Sequence, residues 1–581
     1  MKINPHTSIN RPLAPWRRIS LLVGFFLVIS ALLARAVEIQ MLDSAFFEQQ
    51  GDARHLRLVS VPSHRGDILD RNGEPLAIST PVSSVWMNPQ QMQADDVHIR
   101  KLANLLDINL PALKEKILSN QSKEFIYLKR HVPPELATQV SDLSVAGVAL
   151  QSEYRRYYPA GEVTAHVLGF ADIDDSGQEG IELAFNEWLK GEPGKKRVIR
   201  DRLGRTFNDI ERIKDAVPGK EVRLSIDKHL QYLTYRRLKA AVLKHNAVAG
   251  SAVVLDVKTG QVLAMVNQPS FNVNDRDQLR PSATRNRAVT DVFEPGSTMK
   301  PLSVAAALES GIWKPYYKVE TAPGKIKVLG NTIRDERNYG DLDVGGVIEH
   351  SSNVGISKIV LAISSEKQWN MYQKFGLGVT TGSGFPGEVS GRLSVAAMNN
   401  DFERASMAFG YGVSVTPLQL ARAYAAIAND GVIKPVSFLA DAKSTGSTRI
   451  MSVQTARDVR KMMQRVVSED GTGKLARVPN YSVAGKTGTV HKFIAGGYAE
   501  ERYIAIFAGM VPADNPDVVM VVMIDEPRNG QHFGGQVAAP VFSAVMSGAM
   551  RLLDIPPDRI SNTRLVQQSQ DSNGQRKAGR T

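Results

Sequence analysis

Three short patterns in this chain hold residues that can move an acyl group. Ser297-Thr-Met-Lys300 sets a hydroxyl and an amine three residues apart, on one face if the segment is helical. A lysine amine accepts a hydroxyl proton when burial or a neighbouring cation lowers its pKa. Alone this pattern says little, because serine and lysine are common. Ser351-Ser352-Asn353 adds a second hydroxyl and an amide, and Lys486-Thr487-Gly488-Thr489 adds a cation, two more hydroxyls and a glycine. Each has a bland reading: a solvated serine, a surface lysine, a turn glycine. That reading wins for each alone but not for the three in this order, the last behind the apolar run at 481–484.

Such a site needs rigid elements around it. Residues 222–226 read as a strand and Lys228–Lys244 as an amphipathic helix, and 250–256 and 261–266 flank Lys258-Thr-Gly260 as a hairpin. Residues 503–510 and 518–524 are two more apolar strands around Asn515-Pro516. Strands at both ends with helices between predict an α+β domain over 219–557, its antiparallel sheet closed by the C-terminal strands and flanked by helices. Residues 42–218 are charged and broken by glycine and proline. They suggest helices at 94–106, 111–118 and 134–143 and a strand with a tight Asn72-Gly73 turn within 64–77. Nothing there pairs a nucleophile with a base, which predicts a non-catalytic α/β pedestal. Residues 558–581 are polar and basic and read as a disordered tail.

Ahead of the pedestal, residues 19–34 carry no charge and are followed by Arg35 and a renewed apolar pattern. A transmembrane anchor helix over 19–41 is expected, with Arg35 snorkelling. Basic residues in 1–18 place that end in the cytoplasm. Ala34-Arg35-Ala36 also has the form of a signal cleavage site, but no glycine or proline breaks the preceding helix. With either an anchor or a cleaved signal, the rest of the chain is exported.

The 581 residues hold no cysteine, which excludes a cysteine nucleophile, disulfides, Cys-ligated zinc and iron–sulfur clusters. The net charge of +12 is concentrated toward the two ends, and no basic stripe with interleaved aromatics supports nucleic-acid binding. Gly382-Ser-Gly-Phe-Pro-Gly387 spells a dinucleotide fingerprint, yet it holds a proline and follows no strand, so a loop is expected. Ala484-Gly-Lys-Thr487 lacks the first P-loop glycine, which would fall at Asn480. No metal-ligand spacing is present, and neither a metal nor a cofactor is expected.

Together the three patterns match the set found in penicillin-recognising serine enzymes. The chain resembles the class B penicillin-binding proteins from the anchor to Phe542. Arg65-Gly66, Asp70-Arg-Asn-Gly73, Tyr158-Pro159 and Gly177-Gln-Glu-Gly180 resemble the pedestal motifs. Phe409-Gly-Tyr-Gly412 and Gly534-Gly535 resemble transpeptidase-domain motifs. Within the class it is most similar to the Gram-negative division type, the penicillin-binding protein 3 group. His532 departs from the pattern, where an aromatic is expected before Phe533.

The resemblance implies a penicillin-binding, serine β-lactamase-like fold and a D,D-transpeptidase that crosslinks peptidoglycan stems. Ser297 would attack the penultimate D-Ala carbonyl. Lys300 would be the base, an assignment disputed across the superfamily. Ser351 would shuttle a proton, Asn353 hold the substrate amide, and Lys486 supply positive potential. Thr487 and Thr489 would bind the terminal carboxylate beside Gly488, with backbone N–H groups of Ser297 and Thr489 as the oxyanion hole. Implied partners are pentapeptide stems, β-lactams, the inner membrane, a polytopic SEDS-type lipid II glycosyltransferase and other division proteins. An elongation-type transpeptidase, or a D,D-carboxypeptidase or β-lactamase-type hydrolase, are the alternative functions.

Overall fold

The computed structural model describes residues 15–42, 56–92, 94–200, 206–275, 280–442 and 446–559. Most of the expected cytoplasmic N-terminus, the start of the expected pedestal and nearly all of the expected tail lie outside the described residues.

Helix α1 (Pro15–Val37) runs on through a wider turn at Glu38–Leu42. Its apolar span Pro15–Met41 has 27 residues, none buried. At about 1.5 Å per residue it exceeds the roughly 30 Å of a bilayer's hydrocarbon, so it is long and apolar enough to cross a membrane. Arg35 pairs with Glu38 at 2.7 Å, which offsets its charge within the helix.

The chain divides into two compact units. The first comprises residues 1–63, 81–153 and 192–217. It holds a three-stranded antiparallel sheet of Leu56–Val61, Gly194–Arg200 and Thr206–Lys214. Helices Asp96–Leu106, Leu110–Leu118 and Pro134–Asp142 fall close to the expected segments. They pack Leu102, Leu106, Leu113 and Val140 around Val85, Met87 and Leu128.

The second unit comprises residues 64–80, 154–191 and 218–581. Thus two segments within the range expected for the pedestal pack with the catalytic chain. Buried Glu182 accepts from Arg65 at 2.7 Å and Arg156 at 2.6 Å, which removes three charges from water as one paired group. The expected turn at Asn72-Gly73 closes on Asp70, whose carboxylate accepts from the N–H groups of Asn72 and Glu74.

At the centre of this unit is a five-stranded antiparallel sheet. Helix α2 (Lys228–Lys244) leads into β1 (Ala249–Asp256) and β2 (Val262–Gln268). The sheet is completed by β3 (Ala484–Ile494), β4 (Gly497–Val511) and β5 (Val518–Asp525) in the order β2-β1-β5-β4-β3. The strands read as unbroken apolar runs because both faces are covered. Val253 and Leu255 face one core, while Ala252 and Val254 face the other with α2 and the C-terminal helix Ala539–Leu552. The first core holds the helices that carry the first two patterns. Edge strand β3 bears Lys486-Thr-Gly-Thr489.

Candidate active site

Ser297 lies in a single tight turn, Gly296–Met299, that leads directly into α3 (Lys300–Glu309). Residues three apart eclipse in such a turn, so the serine and lysine share a face. Pro301 suits the first helical turn, where its missing N–H is no loss. The turn is clamped from below. Tyr424 donates its hydroxyl to Thr298 O at 2.8 Å, and Gly410 comes so close that a Cβ there would lie 2.2 Å from Gly296 O. Gly488 is needed for a similar reason: a Cβ would meet Pro295 O at 3.0 Å and Thr298 Cγ2 at 3.1 Å. Its close approach is to the nucleophile turn.

Ser351 stands at φ +60°, the left-handed region that non-glycine residues rarely adopt. It follows a short helix, Val344–Glu349, and precedes α4 (Asn353–Leu361). Asp335, which the sequence patterns do not single out, fixes this junction. Its carboxylate accepts from Asn353 N at 2.5 Å, Val354 N at 2.9 Å and Ser352 Oγ at 2.5 Å, capping the N-terminus of α4.

These elements bring the expected residues together. Ser351 Oγ donates to Ser297 Oγ at 2.9 Å. Lys300 Nζ donates to Ser351 Oγ at 3.0 Å, to Asn353 Oδ1 at 2.8 Å and to the Ser351 carbonyl. Lys486 Nζ reaches the same Ser351 hydroxyl at 3.0 Å. Among the described residues Lys300 makes no hydrogen bond to Ser297 itself, and Ser351 bridges the two.

Both lysines are fully buried. Burial first, and Lys486 second, push the Lys300 amine well below its ordinary range, against a smaller opposing pull from Asp335. Burial pushes Lys486 down to about 7. An amine whose pKa is pushed down, one hydroxyl from a serine, can accept its proton when it is in the neutral form.

A cleft of ≈ 740 Å³ opens over Ser297, Ser351 and Asn353, with Thr487 and Thr489 along one side. Thr487 Oγ1 lies 3.0 Å from Thr472 Oγ1, and Thr489 Oγ1 accepts from Gly534 N–H at 2.9 Å. Beside Thr489 on the same side runs an aromatic ladder in which His532 stacks on Tyr503 at 4.1 Å and touches Phe533 at 4.4 Å. The histidine thus occupies the expected aromatic place as a stacked ring. Glu294, also unmarked in sequence, accepts from Gly412 N–H at 2.7 Å and Tyr498 Oη at 3.0 Å, and burial raises its pKa.

The penicillin binding protein transpeptidase domain matches residues 250–547, and the penicillin-binding protein dimerisation domain matches 60–224. The peptidoglycan D,D-transpeptidase FtsI of Escherichia coli K12 is 42% identical over 550 residues, covering 94% of this chain and 93% of that one. This chain belongs to the class B penicillin-binding proteins. Its catalytic region is similar to the apo transpeptidase domain of Burkholderia pseudomallei penicillin-binding protein 3. That likeness has 47% identity and a TM-score of 0.54, covering 58% of this chain and 98% of that one. Penicillin-binding protein 3 of Mycobacterium tuberculosis complexed with aztreonam is 28% identical, with a TM-score of 0.67 over 87% of this chain and all of that one.

Proposed function

We propose that this chain is a serine D,D-transpeptidase that crosslinks peptidoglycan stems through an acyl-enzyme at Ser297. The observation that carries this reading is the hydrogen-bonded group of Ser297, Ser351, Lys300 and Lys486 at the floor of the cleft.

Ser297 Oγ attacks the penultimate D-Ala carbonyl of a donor stem, and its proton passes to Lys300, directly or through Ser351. The N–H groups of Ser297 and Thr489 hold the developing oxyanion; losing one such donor typically costs about 10²–10³ in rate. The tetrahedral species collapses, the C–N bond breaks, and the terminal D-Ala leaves as an amine protonated through Ser351. An acceptor amine then attacks the Ser297 ester, a new amide forms, and the serine regains its proton. Asn353 holds the donor amide. Thr487 and Thr489, beside Lys486, bind the terminal carboxylate. A β-lactam enters the same path but retains its leaving group, so the ester persists.

Helix α1 would anchor the chain in the inner membrane with its N-terminus cytoplasmic and the catalytic unit periplasmic. Kinship with FtsI favours a septal role, beside a polytopic SEDS-type glycosyltransferase.

The test uses the full chain in detergent, a donor pentapeptide and a labelled D-amino acid. Release of D-Ala with incorporation of the label is expected. D-Ala release with only hydrolysed product would make the enzyme a carboxypeptidase.

A further inference from the structure

One stretch of the Ser297 cleft is used by no step above. It is lined by Glu336, next in the chain to the capping Asp335, by Tyr339, and by His350, next to Ser351. The imidazole of His350 stacks on Tyr339, with ring centroids 5.3 Å apart and planes 12° from parallel. It is partly buried, and neither ring nitrogen has a hydrogen-bond partner among the described residues. Glu336 is exposed and makes no hydrogen bond or ion pair among them. Arg337 lies over the Tyr339 ring at 5.1 Å, and Lys474 also lines the cleft.

The second half of the reaction has a proton left over. In acylation Lys300 takes the Ser297 proton and Ser351 returns it to the departing D-Ala amine, so that pair is restored. The acceptor then arrives as an ammonium. Its attack on the ester carbon needs a lone pair, so one proton must leave first. A second leaves the nitrogen as the amide forms and the C–O bond breaks, and passes through Ser351 to Ser297 Oγ. The first needs a different base. The attack retraces the departure of D-Ala, so the amine enters beside Ser351, the chain neighbour of His350. We propose that His350 is a further catalytic residue, the base that takes the first proton from the acceptor's ammonium. Imidazole is the side chain suited to gain and lose a proton near neutral pH, and a partly exposed one can pass that proton on to water. The Glu336 carboxylate on the same stretch favours an incoming cation. The subsite is thus one for a primary ammonium.

This rests on the reading of Ser297 as acyl acceptor, and the test separates the two. The full chain in detergent receives the donor pentapeptide with two acceptors together. Labelled D-alanine is an ammonium near neutrality, and hydroxylamine is already uncharged there. Both draw on one pool of acyl-enzyme, so the ratio of D-alanine product to hydroxamate is insensitive to partial folding, slow acylation and hydrolysis. In His350→Gln that ratio should fall about 10²-fold. Raising the pH until D-alanine is itself uncharged should bring the variant's ratio back to that of the parent protein. An unchanged ratio near neutrality would overturn the role of His350. So would a gap that persists at high pH, since His350 would then only bind the acceptor. Failure of the parent protein to release D-Ala, or release with hydrolysis alone, would instead overturn the proposed function.

Discussion

Lys300 and Lys486 both donate to the Ser351 hydroxyl, so each disfavours charge on the other. Acylation by this route needs a neutral Lys300 and a cationic Lys486. The rate should therefore fall at low pH as Lys300 gains a proton, and at high pH as Lys486 loses one, with the alkaline limb near pH 7, where burial places Lys486. Lys486→Arg should keep part of the rate, since its charge survives with a different fork geometry, and should move the alkaline limb far upward. Lys486→Ala should lose about 10²-fold or more. Second-order acylation rates with one β-lactam across pH check this; equally fast Arg and Ala variants would leave Lys486 with a packing role only. Asp335→Asn separates capping from electrostatics. Losing the charge at the N-terminus of α4 should destabilise the protein by about 0.3–1 kcal/mol. It should also remove the one charge that favours protonated Lys300, shifting the acid limb to lower pH. A melting curve and a pH profile of acylation measure the two effects; an acid limb that stays put or rises would contradict this role for Asp335.

At the scale of elements, the nucleophile turn is held by backbone approach. Gly410 and Gly412 both have positive φ, +88° and +72°, so alanine is strained at either position. They differ in space: a Cβ on Gly410 would overlap the Gly296 backbone, while nothing lies within 4 Å of one on Gly412. Gly412→Ala should fold and still be acylated, whereas Gly410→Ala should lose acylation or fold poorly. Melting temperatures and penicillin labelling of the pair decide it; equal behaviour would place the clamp elsewhere. Much of this architecture was legible from the chain. The helix at Lys228–Lys244, the hairpin around Lys258-Thr-Gly260 and the last two strands carry local periodicity, and the three site patterns are local too. Asp335 was not legible, because its partners at 352–354 have no spacing rule that links them to it. Glu294 meets Tyr498 across 204 residues, and Gly410 meets Gly296 across a gap of similar kind. The Arg65–Glu182–Arg156 pairing that ties 64–80 to 154–191 was not legible either, because it is long-range.

At the scale of the whole molecule, α1 is an exposed apolar helix and the site lies wholly within the second unit. A chain beginning at Gln40 should leave the membrane fraction and react with penicillin at the rate of the full chain, measured by fractionation and acylation kinetics. A folded, soluble product that binds no β-lactam would contradict an independent catalytic unit. The central claim is that Ser297 alone carries the acyl group. The most direct measurement treats the full chain with a fluorescent penicillin, then locates the adduct by peptide mass spectrometry, alongside a Ser297→Ala variant of unchanged melting temperature. The account predicts one adduct, on Ser297, with the mass of the intact drug, and no label on the variant. An adduct on another residue, or labelling that survives in Ser297→Ala, would contradict it.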